Sequence, residues 1–191
     1  MNNGGHSIEE AVVIARDRLE RLQAKVSDQL EAWRRAVAAN PSDLNQRASL
    51  AIALDRAGLY DEALHHYTEL SRRGGDNWSL YYNMGNALTK LEGYEEAVAS
   101  YEKSIAMNPN HAPTYNHIGI VLKKLREYDR AIHAFETATQ LDPSFENAPF
   151  NLAILYFHLG DKENATQAFD RVLRSFPQLK SQVNPYLEAL R

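Results

Sequence analysis

The chain has 191 residues, 44% hydrophobic and 24% charged, a globular composition that excludes general disorder and a collagen-like or low-complexity fibre. It contains no cysteine, which excludes a disulfide scaffold, a thiolate metal site and a cysteine nucleophile. Lys and Arg total 21 against 25 Asp and Glu, and the resulting charge of −4 argues against a nucleic-acid partner.

The first segment, Met1 to Ser7, is polar and lacks the basic start and unbroken apolar run of a signal peptide. From Ile8 to Ala39 there is neither glycine nor proline, and Asn40-Pro41 ends the run. A heptad template fits it, with Val12, Leu19, Val26 and Trp33 at a and Ile8, Ala15, Leu22, Gln29 and Ala36 at d. Only Gln29 in that set is polar, which predicts a long helix with a coiled-coil seam. Ile8, Val12, Ala15, Leu19, Leu22 and Val26 have nothing before them to pack on, so they are expected to pair with a second copy of the chain as a homodimer. The alternative is a helical hairpin with Ser27 capping its second helix.

Beyond Pro41 the chain repeats. Ala63, Ala97, Ala131 and Ala165 recur every 34 residues, each followed four residues later by an aromatic: Tyr67, Tyr101, Phe135 and Phe169. Twelve residues before each alanine stands Ala51, Gly85, Gly119 or Ala153, preceded by Leu50, Met84, Ile118 or Leu152. Pro109, Pro143 and Pro177 close their units, Pro41 keeps the same register, and Gly75 occupies the position that lacks a proline. Each unit reads as two helices, with the small residue of the first helix and the alanine of the second allowing close approach. One such unit cannot bury its apolar face alone, so the units must stack.

These residues resemble the tetratricopeptide repeat (TPR) family. The resemblance places units at 44–77, 78–111, 112–145 and 146–179, behind an N-terminal extension (1–43) that ends in a half-repeat, with Trp33, Ala36 and Pro41 in register. Residues 180–191 are read as a capping helix, with Leu187 and Leu190 covering the last repeat. The implied fold is an all-α TPR helical-repeat solenoid, a right-handed superhelix with a concave groove, a long N-terminal helix and a C-terminal capping helix. Pro149 must fall in the first turn of its helix, where its missing N–H costs little.

In TPR proteins the first helix of each unit lines the groove. Carried over by position, the peptide-binding residues are Asn45 in the first unit and Tyr82, Asn83, Asn86 and Lys90 in the second. The third supplies Asn116, His117, Ile120, Lys123 and Lys124, and the fourth Asn147, Phe150, Asn151, Ile154 and His158. The asparagines can hold a peptide backbone through donor and acceptor together. They can equally be residues common to the family at those positions. Lys90, Lys123, Lys124 and Arg56 outweigh Asp55, and this favours an acidic segment or a carboxylate terminus. The lysine and arginine set by which chaperone-binding TPR proteins clamp a terminal carboxylate is interrupted by Ala48, Ile52, Tyr82, Pro113 and Asn116, which disfavours that partner.

No catalytic constellation is visible, nor a phosphate loop or metal-ligand spacing, so neither enzyme activity, cofactor nor metal is expected. The longest uncharged apolar stretch, Asn147 to Gly160, is too short to span a bilayer, so a cytoplasmic chain with no membrane insertion is expected. The expected function is a scaffold or adaptor that binds another protein through an extended peptide segment. The rivals are an assembly protein joined by its N-terminal helix and a regulatory module of a longer enzyme.

Overall fold

A computed structural model describes residues 8–191, with side chains from Glu10 onward, so the Ile8 side chain and everything before it lie outside the described residues. All regular elements among the described residues are helical. They form two compact units, one ending at Gly75 and one running from Asp76 to Arg191.

The first unit contains α1 (Ile8–Ala39), α2 (Leu44–Arg56) and α3 (Tyr60–Arg72). The N-terminal segment is therefore one helix from Ile8 on, not a hairpin. Its first half stands in solvent, with Val12, Val13, Ile14, Leu19, Leu22 and Val26 each about half exposed. Its second half packs on the repeat through Leu30 and Val37, both buried, and Trp33 is only partly covered. The half-repeat register of Trp33 and Ala36 is thus displaced by one residue. Leu30, Arg34 and Val37 stand 33 residues before Ala63, Tyr67 and Leu70, and Arg34 takes the aromatic position. Its guanidinium lies across both oxygens of Glu62, at 3.1 and 2.9 Å. Asp43 starts α2 by accepting from the N–H groups of Asn45 and Gln46 at 3.0 Å each.

The second unit stacks three helix pairs: α4 (Trp78–Lys90) with α5 (Tyr94–Met107), α6 (Ala112–Lys124) with α7 (Tyr128–Leu141), and α8 (Asn147–His158) with α9 (Lys162–Ser175). A 3-10 turn (Pro177–Leu179) leads into α10 (Lys180–Leu190). Pro149 falls in the first turn of α8. The aromatics Tyr101, Phe135 and Phe169 are almost wholly buried between helices. They explain the glycines opposite them: a Cβ on Gly85 would lie 2.5 Å from the Tyr101 ring, and one on Gly119 2.8 Å from the Phe135 ring. At the C-terminus the cap is broader than Leu187 and Leu190. Leu179 and Val183 are buried, and Tyr186 stacks on Phe169 with ring centroids 5.0 Å apart.

The turn inside each helix pair is the same Schellman closure. The N–H of Leu59, Gly93, Glu127 or Asp161 donates to the carbonyl five residues back, at 2.9–3.1 Å. The preceding residue must take a left-handed backbone. That residue is Gly58 or Gly160 in two repeats, but Glu92 (φ 61°) and Arg126 (φ 62°) in the others.

Candidate functional site

The surface presented by α4, α6 and α8 is built by a repeating contact. A residue on one first helix meets the residue 35 or 36 positions later in the chain. The Tyr82 hydroxyl lies 3.0 Å from His117 Nδ1, and the Asn151 side-chain amide donates to Asn116 Oδ1 at 2.9 Å. The third such contact is made by the cap, where the Tyr186 ring meets Phe150 edge-on at 6.3 Å. His117 stacks on Tyr101 as Tyr186 stacks on Phe169. The capping helix therefore places Tyr186 where a further repeat would place a groove side chain. Phe157 is also covered, with its ring 5.2 Å from Tyr186.

These contacts decide which of the expected residues have polar atoms left for a partner. Asn116 is buried and accepts from the partly covered Asn151, a contact that joins α6 to α8. Asn86 accepts from the Tyr101 hydroxyl at 2.8 Å and also interacts with the Tyr82 hydroxyl. Asn83 is partly covered and Asn147 exposed. Ile120 packs against the core of the second and third repeats, and Ile154 joins Phe150 and Phe157 in the apolar cluster under the cap. His158 is exposed beside Phe157. Asn45 lies in the first unit, in the opening turn of α2, with its side chain exposed. Sequence reasoning missed Tyr186. Its signal was the aromatic in the apolar run of the last helix, which lies out of step with the 34-residue period.

The electrostatics of this surface come from lysines at the C-terminal ends of α4 and α6. Lys90 and Lys124 are exposed, and Lys123 is partly covered. No carboxylate forms an ion pair with any of the three among the described residues. Burial, together with the neighbouring charge of Lys124, pushes the Lys123 ammonium below the usual lysine range. His117 is held below the usual histidine range, chiefly by burial, with the His111 and Lys90 charges adding to the effect. A partly desolvated cation beside another cation, with amide side chains nearby, has the chemistry to take up an anionic group. No described helix is long and apolar enough to cross a membrane.

Stacked helix pairs with a small residue facing an aromatic in each define a helical-repeat protein. Tetratricopeptide repeat models match residues 78–144 and 118–180, and the chain belongs to that family. TPR arrays are protein–protein interaction scaffolds, and this chain is built as one. No curated protein matches the sequence. Among solved structures, MamA from Desulfovibrio magneticus RS-1 is similar with a TM-score of 0.76 at 20% identity, over 92% of this chain and 98% of that one. YrrB, a TPR protein with an unusual peptide-binding site, gives 0.73 at 22% identity, over 90% and 87%. A TPR protein from Parabacteroides merdae gives 0.75 at 22% identity, over 97% and 73%.

Proposed function

We propose that the surface of α4, α6 and α8 holds an extended acidic segment of a partner protein. The observation that carries this reading is the set of three lysines, Lys90, Lys123 and Lys124, none of them paired with a carboxylate among the described residues. An arriving carboxylate relieves the Lys123–Lys124 repulsion and replaces water that burial has already removed from Lys123. Asn83 and Asn86, neighbours on α4, then bind the peptide backbone with donor and acceptor groups of their amides. The Tyr82–His117 and Asn116–Asn151 contacts keep the three helices in register. Fluorescence anisotropy with a labelled Glu- and Asp-rich peptide tests the reading. Lys123→Glu with Lys124→Glu is expected to weaken binding by about tenfold or more and to flatten its salt dependence. Unchanged affinity contradicts it.

A second reading concerns α1. The stripe of Val12, Leu19, Leu22 and Val26, about half exposed, supports self-association through this helix. Light scattering across a concentration series is expected to show a mass that falls to the monomer in Leu19→Glu with Leu22→Glu. A monomer at every concentration in the parent chain removes self-association.

A further inference from the structure

The second helices of consecutive repeats carry their own cross-repeat contact. Between α5 and α7, Arg130 reaches across a cleft of about 400 Å³ and places Nη2 2.9 Å from Glu102 Oε1. Glu127, the residue just before α7, holds the same guanidinium. In the first unit Arg34 and Glu62 pair between α1 and α3 with the charges in the opposite order.

One repeat further on, 34 residues after Glu102 and Arg130, stand Glu136 and Asn164. The acid is retained and the arginine is not. The Asn164 side chain turns back to Asp161, donating to Oδ2 at 2.7 Å, and does not cross to α7. Glu136 is exposed and makes neither hydrogen bond nor ion pair among the described residues. Both line a cleft of about 620 Å³ between α7 and α9, larger than its counterpart. Leu152 and Ala168 give it apolar surface, and the partly covered Tyr156 lies within the fields of Glu136, Asp161 and Arg171. Arg171 also lines the cleft, but seven residues beyond Asn164 on α9, about 10 Å along the helix.

We propose that the α7–α9 cleft docks an arginine side chain of a partner protein, with its guanidinium on Glu136 in the place that Arg130 takes on Glu102. The fold itself supplies the template for this ligand. A planar guanidinium presents paired donors to a carboxylate, which an ammonium cannot match, and the methylene stem covers apolar surface of the Leu152 and Ala168 kind. The site is separate from the lysine-bearing surface of α4 and α6 and calls for the opposite charge.

The test is an NMR titration of the full, ¹⁵N-labelled chain with acetyl-Gly-Arg-Gly-amide, against acetyl-Gly-Lys-Gly-amide. The arginine peptide is expected to give saturable shifts at Glu136, Gln140, Tyr156 and Gln167, with the lysine peptide at least about fivefold weaker. Glu136→Gln is expected to weaken binding about tenfold. Asn164→Arg, which rebuilds the internal pair, is expected to abolish binding without lowering the melting temperature, so loss of binding is not loss of fold. No saturable shifts, equal binding of the lysine peptide, or binding unchanged in Glu136→Gln overturns the proposal.

Discussion

Tyr67 and Tyr101 occupy the same position in consecutive repeats, and both rings are buried. Their hydroxyls differ. Tyr101 donates to Asn86, whereas nothing bonds the Tyr67 hydroxyl, because the residue matching Asn86 in the first repeat is Ile52. Burial accordingly drives the Tyr67 phenol far above its ordinary pKa. A buried unmade hydrogen bond costs more than an absent group. Tyr67→Phe is therefore expected to leave stability unchanged or raise it by up to about 1 kcal/mol, while Tyr101→Phe costs about 1 kcal/mol. Chemical denaturation of both variants checks the contrast. The 34-residue recurrence made both rings legible as core. The hydroxyl partners were not, since they depend on a second position whose residue varies independently.

Among the elements, the turns and the two ends depart furthest from an ideal repeat. Glu92 and Arg126 hold the left-handed backbone that Gly58 and Gly160 adopt freely. Such a conformation costs a non-glycine residue about 1–2 kcal/mol, partly offset by the greater unfolded entropy of glycine. Glu92→Gly and Arg126→Gly are each expected to stabilise the chain by about 0.5–1 kcal/mol, read as a higher denaturation midpoint. At the C-terminus, Tyr186→Ala strips the ring from Phe150, Phe157 and Phe169 and is expected to cost about 2–3 kcal/mol. Equal stability of parent and variant would mean that α10 does not seal the last repeat. The sequence showed that a helix must follow Pro177 but not which side chain closes the stack, because Tyr186 sits outside the repeat register. The same limit applied to α1. Its heptads marked an apolar stripe, yet Leu30 and Val37, off that stripe, are the residues that pack on the repeat.

For the molecule as a whole, the three shifted histidines point one way in pH. His66, His111 and His117 are all held below the ordinary histidine pKa, each chiefly by burial. The folded chain thus favours their neutral forms. Their contribution to stability is complete above the unfolded value of about 6.5 and is lost as pH falls through the lower folded values. The denaturation midpoint is expected to drop between about pH 6.5 and pH 5, and less so in His117→Gln, whose amide can still hydrogen-bond the Tyr82 hydroxyl. A pH-independent midpoint over that range would show the histidines to be solvated.

The groove was legible as a face, since position within a repeat assigns residues to the first helix. Which of them remain available was not, because that is decided by neighbours 35 residues away that pair with each other at 3 Å. The central claim is that the partner segment lies on the first helices. Backbone amide shifts in the full chain, titrated with a Glu- and Asp-rich peptide, test it most directly. The account predicts perturbations concentrated on α4 and α6 around Asn83, Asn86, Lys90, Lys123 and Lys124. Perturbations confined to α5, α7 and α9, with those five residues unmoved, would contradict it.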